Sequence, residues 1–432
     1  MENAPTDAAD NRPAPTGREI VLIAGAICDA AGRSFRPGAI RLRDGRILDV
    51  GDPSAVTPSP EATVIRRSGA VLLPALVNAH SHLDLTHIGP RPYTGRFTDW
   101  VGMIRAERAV TDDGIDRAVR RGIELALAGG TGIIGDIAGI NSLQPWRTLR
   151  DSPLAGVSFI EHFGLGPRQA RAIEQMQQLD RDQLRSKNNV TLGLQPHAPY
   201  SCGPDVFAAA ARVGRPLATH IAETPEELAY CRDGRGPIVD MLRAIGVWDE
   251  SIEPLGGHPL DALSDSLHAT PWLIAHLNYI EDRHIEVLAR LPGSVAYCPR
   301  ASEYFGHPVD DQPPHAYRAM LDAGVNVCLG TDGLVCLDTP DRISVLDEMR
   351  RLHRRDGTDP DRLLAMATTN GARALGLDPD LVTFAPGDVA GIIAVPFDPG
   401  DPADPLTQVL RRTDPPAWAS PAGAGELMTA DS

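Results

Sequence analysis

The chain is expected to fold as an α/β protein: a (β/α)8 TIM barrel with a small β-sandwich domain formed from both chain ends. Three observations carry this expectation. Between Val71 and Gly333, eight short apolar runs alternate with helix-length amphipathic stretches, the pattern of parallel β/α construction. Eight is also the number of strands that closes such a barrel. Strand-like segments punctuated by turn residues lie before and after this region, where two chain ends can share one β unit.

The elements follow in order. Residues 1–16, rich in Pro, Ala and Asp, read as a disordered tail. Residues 17–72 hold the segments EIVLIAGAICDA, GAIRLRDGRILDVGD and ATVIRRSGAVLLPA. The alternation Ile40-Arg41-Leu42-Arg43 fits a strand with one wet face, and Asp44-Gly45 between two β-rich runs is a hairpin signal. The barrel is placed at 73–378, with strands in VLLPALVNAH, GIIGDIA, GVSFIEHFG, VTLGLQPHAP, PLATHIAET, WLIAHLNYI, SVAYCPR and NVCLGTDG. Helices are expected over Asp112 to Ala128, Pro167 to Arg185, Pro225 to Ile245, Glu281 to Leu291 and Asp341 to His353. Residues 379–412 return to a β-rich pattern that completes the small domain, and 413–432 read as a tail.

Composition narrows the partner. The 432 residues carry a formal net charge of -16, which argues against nucleic acid or an anionic membrane surface and for a small molecule. Six cysteines lie scattered without a CxxC pair, so they read as thiols of a reducing compartment. No apolar run reaches about 18 residues and the N-terminus lacks the order of a signal peptide, so a cytoplasmic protein is expected. Of the 41 basic residues only Lys187 is a lysine.

The chemistry sits at the strand ends. In a (β/α)8 enzyme the reactive groups lie where strands finish at their C-terminal side. Those ends carry His80 and His82 (first), Glu161 (third), His197 (fourth), His220 followed by Glu223 (fifth), His276 (sixth) and Asp332 (eighth). Residues i and i+2 of a strand share a face, so His80 and His82 form a two-pronged clamp for a metal ion. His220 and Asp332 supply a third nitrogen and an oxygen, leaving the open position of a catalytic site. His87, His162, His258, His268, His284, His307, His315 and His353 lack such support and read mostly as surface or neighbouring residues.

The motifs LLPALVNAHSHLDLTH, QPHAPYSC, LATHIAET, IAHLNY and LGTDG resemble the metal-dependent amidohydrolase superfamily, in its deaminase and chlorohydrolase branch that acts on nitrogen heterocycles. The resemblance runs in order from about Ile20 to Val395, and AYCPRASEYFGHP further resembles a subgroup related to aminofutalosine deaminase. It implies metal ligands at His80, His82, His220 and Asp332, with Glu223 and His276 as catalytic partners, and it suggests a homodimer. Some members bridge two metals with a carboxylated lysine at the end of the fourth strand, where this chain has Gln195 and His197. Lys187 lies at the opposite end of that strand, so one divalent ion is expected, zinc first and iron second. Glu161 is then a contact of substrate or ligands rather than a metal bridge.

The expected reaction is hydrolytic deamination of an aminated purine-like nucleoside or other N-heterocycle. The metal activates water, Asp332 takes its proton, His276 steadies the developing oxygen, and Glu223 delivers a proton to the leaving amine. The alternatives are opening of a cyclic amide or dechlorination of a ring at the same site; Glu223 favours deamination, because chloride needs no proton to leave. A dead scaffold would break at least one of the six core positions, and none is broken. His197 resembles a substrate-contacting position. Trp100 and Glu107, in FTDWVGMIRAERA, are expected at the mouth and at a nucleoside sugar, and Arg300 with Tyr304 at an anionic or polar tail. Gly333 and the following LVCLD depart from the family pattern, which leaves the substrate open.

Overall fold

The computed structural model describes residues 17–139, 142–181, 190–309 and 312–420; Lys187 and both terminal tails, 1–16 and 421–432, lie outside them. Eight parallel strands, Leu76–Ser81, Thr131–Ala138, Ala155–His162, Val190–Pro196, Leu217–Ile221, Trp272–His276, Ser294–Tyr297 and Asn326–Leu329, pair strictly in chain order. The ring closes where Ser81 bridges to Asp332 and the amides of Thr331 and Asp332 donate to the His80 carbonyl at 2.9 and 3.0 Å. Every residue of Thr131–Ala138 is buried, as expected of a strand covered on both faces.

Two side chains stitch the closing seam. Asn78 Nδ2 donates to Thr331 Oγ1 at 2.8 Å, and the Thr331 amide returns a bond to Asn78 Oδ1 at 3.2 Å. Gly330 lets the eighth strand approach this closely, since a Cβ there would stand 2.6 Å from the His80 Cβ and 2.9 Å from the Cys298 sulfur. Gly330→Ala is therefore expected to displace His80, lowering both the melting temperature and the metal bound per chain. Unchanged values on calorimetry and metal analysis would refute that reading.

The expected helix Asp341 to His353 runs instead over Val345–Asp356, and Pro167 to Arg185 is observed as Gln169–Arg181, residues 182–185 lying outside the described ones. Pro225 to Ile245 is two helices, Pro225–Asp233 and Pro237–Ala244. Gly234 takes a left-handed φ of 61° and caps the first, Gly236 has φ 100°, and Pro237 opens the second. This chemistry ends a helix whatever the apolar spacing suggests.

The chain ends build one mixed eight-stranded sheet, with Glu19–Cys28 paired in parallel to Thr63–Pro74 and the latter antiparallel to Ile392–Pro396. Gly38–Arg43 and Arg46–Gly51 form the expected hairpin, with Asp44 at φ 52° and Gly45 at φ 75°, the double left-handed turn that matches strand twist. The sheet also takes in Ala417–Ser420, within the stretch read as a tail. Pro415 and Pro416 suggested loop, but Trp418 anchors the strand by donating Nε1–H to the Leu127 carbonyl at 2.9 Å. No helix among the described residues is long and apolar enough to cross a membrane.

Candidate active site

The C-terminal strand ends gather His80, His82, His220, Glu223, His276 and Asp332 in one buried cluster. His80 Nε2 lies 3.3 Å from His220 Nε2, and His82 Nε2 lies 3.3 Å from Asp332 Oδ1. Ligands held at 2.0–2.1 Å by a tetrahedral ion stand about 3.3 Å apart, so each of these two pairs has the spacing of neighbouring ligands on such an ion. Burial, reinforced by neighbouring histidines, holds His80 and His82 well below the ordinary imidazole pKa, and burial brings His220 down to about 4. Neutral rings present the lone pairs that metals bind. The Nδ1 atoms of His80 and His82 have no hydrogen-bond partner among the described residues.

Backbone strain marks the same strand ends. Four non-glycine residues here have positive φ: Ala222 (53°), His276 (74°), Leu277 (55°) and Asp332 (59°). Such conformations persist where surrounding structure fixes them. Glu227 fixes one, accepting the amides of Ala222 and Glu223, each at 2.9 Å. Asn278 fixes the other side of Glu223 by donating to its carbonyl at 3.0 Å. The Glu223 carboxyl is consequently buried, not spread on the surface as a helix-opening glutamate is, and it stands 3.7 Å from His276 Nε2. Burial first, then Asp332 and Glu227, raises its pKa well above the carboxyl range. Burial likewise brings Asp332 up to about 6.

A cavity of about 290 Å³ opens on this cluster. Glu161, His197 and Arg108 join its polar part, while Phe97, Trp100, Ile104, Leu165, Tyr200, Met241 and Val247 belong to a broad apolar wall. His197 donates Nδ1–H to Ser201 Oγ at 2.8 Å, because that hydroxyl gives its own proton to the Ala198 carbonyl at 3.1 Å. Its Nε2 is left as an acceptor, 3.8 Å from Glu161 Oε1. Trp100 lines the cavity as expected, stacked on Phe97.

Three expected pocket residues, Glu107, Arg300 and Tyr304, lie elsewhere. Cavity-facing positions on helix Phe97–Glu107 and just beyond it are Phe97, Trp100, Val101, Ile104, Arg105 and Arg108. Glu107 falls outside that stripe, exposed and paired with Arg91 at 3.0 Å. Arg300 is buried but faces away from the cavity, bonding Glu348 Oε1 at 2.6 Å and Asp338 Oδ1 at 3.0 Å. It ties the helix after the seventh strand to Val345–Asp356, a structural use of a cation that spacing alone does not reveal. Tyr304 packs behind the wall against Phe305 and Tyr93, and His307 bonds the Tyr279 hydroxyl at 2.6 Å.

Sequence reasoning named Glu161 but missed Arg108 and the two further carboxylates near it, Asp84 and Asp136. Arg108 Nη2 bonds Glu161 Oε2 at 2.8 Å and its Nε bonds Asp84 Oδ2 at 2.9 Å, with Asp136 buried next to them. The signal was present as Asp84 two residues after His82. Burial, with Asp84 nearby, pushes Asp136 up to about 8, above the ordinary carboxyl value of about 3.9. The folded chain thus holds a proton that the unfolded chain releases, so this contribution to stability is full at acid pH and is lost as pH rises through about 8. Asp136→Asn keeps an acceptor for the Leu83 amide, which now reaches Oδ1 at 3.1 Å. It is expected to flatten the fall in melting temperature between about pH 4 and 8; parallel slopes in wild type and variant would contradict this.

Comparison with known proteins agrees with this architecture. Residues 71–417 match the amidohydrolase family. The chain is 26% identical over 407 residues to the 5-methylthioadenosine/S-adenosylhomocysteine deaminase of Syntrophobacter fumaroxidans, covering 88% of this chain and 85% of that one. It is 29% identical over 372 residues to the aminodeoxyfutalosine deaminase of Deinococcus radiodurans, covering 80% and 83%. Among solved structures, the aminofutalosine deaminase of Helicobacter pylori superposes with a TM-score of 0.71 at 22% identity, covering 91% and 95% of the two chains. The atrazine chlorohydrolase of Arthrobacter aurescens, determined with zinc, gives a TM-score of 0.71 at 19% identity, covering 93% and 92%.

Proposed function

The chain belongs to the amidohydrolase family, and from that premise we propose that it is a metal-dependent hydrolytic deaminase that releases ammonia from an aminated purine-like nucleoside. The relatives named as deaminases of adenosine-type compounds support this substrate class. One observation carries the reading: a buried carboxyl, Glu223, stands 3.7 Å from His276 Nε2 at the head of the cavity, where burial raises its pKa. An amine leaves only when protonated, and a shielded acid of raised pKa supplies that proton near neutral pH.

His80, His82, His220 and Asp332 are the residues that would hold a single divalent ion, for which zinc is the choice, and the ion supplies Lewis-acid activation of water. Asp332, whose carboxylate faces the same space, accepts a proton from the attacking water. Neutral His276 faces the same space and steadies the oxygen as charge develops on it. Glu223 gives its proton to the ring nitrogen and relays the next one to the departing amine. Glu161 and His197 offer acceptors to substrate N–H or O–H groups, and the apolar wall around Trp100 covers the rest of the molecule. The six cysteines are all unpaired and buried, which supports a reducing compartment, the cytoplasm.

The test is ammonia release by zinc-loaded protein from adenosine, 5′-alkylthio-adenosines, 6-amino-6-deoxyfutalosine and aminated free bases. Release from the nucleosides at one zinc per chain is the expected result. Silence across the panel from fully metallated protein would end the deaminase reading.

A further inference from the structure

His276 ends the sixth strand with φ 74°, and Leu277 follows with φ 55°. Two successive left-handed residues, neither of them glycine, form a strand end that does not hold itself. The Leu277 amide is fixed by the Ile221 carbonyl at 3.0 Å. The carbonyl of His276 itself is held from outside the cavity, by His315 Nε2 at 2.7 Å.

His315 is set up as a donor. Its Nδ1 accepts the Tyr317 amide at 3.1 Å, so the ring proton must sit on Nε2, pointing at His276. The ring is buried and lies flat on Tyr297, with centroids 3.7 Å apart and planes 15° apart. Tyr297 ends the seventh strand, next to the sixth, so the stack registers His315 against the barrel. Burial keeps the ring neutral, with a pKa near 4, and the tautomer therefore does not change across the physiological range.

We propose that His315 is a positioning residue: its Nε2–H holds the carbonyl of His276 and, through it, the left-handed strand end that aims the His276 imidazole at Glu223 and the metal-binding cluster. A side chain that merely fills space between the seventh strand and helix Tyr317–Asp322 would not need this polarity. The difference is measurable. His315→Leu keeps the apolar volume and removes the donor, whereas the amide of His315→Gln can reach the same carbonyl.

This inference uses the deaminase reading for its kinetics, but its backbone readout needs no substrate. In zinc-loaded protein His315→Leu is expected to lower kcat by about 10- to 100-fold, the scale of a small misplacement of a reacting group. KM should stay within about twofold, with wild-type zinc content. His315→Gln is expected to recover most of the loss. A crystal structure of His315→Leu should show residue 276 out of the positive-φ region and its imidazole moved from Glu223. Should the leucine variant fail to fold, Tyr297→Leu, which removes the plane stacked on His315 together with the hydroxyl that accepts from Arg355 at 3.1 Å, is expected to give a smaller fall in kcat at unchanged KM. The proposal is overturned if kcat is unchanged in His315→Leu or in Tyr297→Leu, if glutamine recovers nothing, if the loss lies in KM, or if the residue 276 backbone stays in place without His315.

Discussion

Asp332→Ala is expected to lower turnover by about 10³-fold or more and to leave the protein well short of one zinc per chain. In the proposed mechanism the carboxylate serves twice: its Oδ1, 3.3 Å from His82 Nε2, would join the metal ligands, and it would be the base for the attacking water. Loss of a general base alone costs about 10²- to 10⁴-fold, and loss of a ligand from a four-donor site weakens the metal on top of it. Asp332→Asn separates the two, since an amide oxygen can still face the ion but takes no proton. It should retain more zinc than alanine while remaining at least about 10²-fold slower than wild type. Metal analysis beside single-turnover kinetics reads both effects, and full activity in either variant would remove Asp332 from the chemistry.

Glu223→Gln is expected to keep its zinc and fold yet lose about 10²- to 10⁴-fold in kcat on aminated substrates. The side chain makes no contact that the fold depends on; its backbone is secured by Glu227 and Asn278. The pH dependence follows from the direction of its shift. Burial, with Asp332 and Glu227 close, raises the Glu223 pKa, and the working form of a general acid is the protonated one. Activity is therefore present below the raised value and falls as pH climbs through it. Wild type should show this alkaline limb in kcat/KM, and the residual activity of Glu223→Gln should lack it; an identical limb in both proteins would assign it to another group.

The barrel was legible because parallel strands buried on both faces read as short apolar runs, and each of the eight runs overlaps one barrel strand, the first also taking in the end of Thr63–Pro74 from the other sheet. The gathering of the proposed metal ligands was legible for a related reason: a histidine at the end of a buried strand has few uses, and His80, His82, His220 and Asp332 do meet at the C-terminal strand ends. What escaped depended on rotation and on contacts distant in sequence. Glu107 is seven residues from Trp100, yet it turns past the edge of the cavity-facing stripe toward Arg91. Arg300 looked free at a strand end, but Glu348, 48 residues later, neutralises it. Arg108 carried no motif at all, although it joins Asp84 to Glu161 at the cavity. His315 was one histidine among many until the left-handed strand end at His276 gave its ring a purpose.

The central claim is that this site expels an amine because Glu223 protonates it. The direct measurement compares one purine nucleoside carrying either an amino group or chlorine at the reacting carbon, turned over by zinc-loaded wild type and by Glu223→Gln. The account predicts that the variant loses at least about tenfold more on the amine than on the chloride, because ring-nitrogen protonation serves both substrates whereas only the amine needs a second proton to leave. Equal losses on both substrates, or a wild-type enzyme that turns over only the chloride, would contradict it.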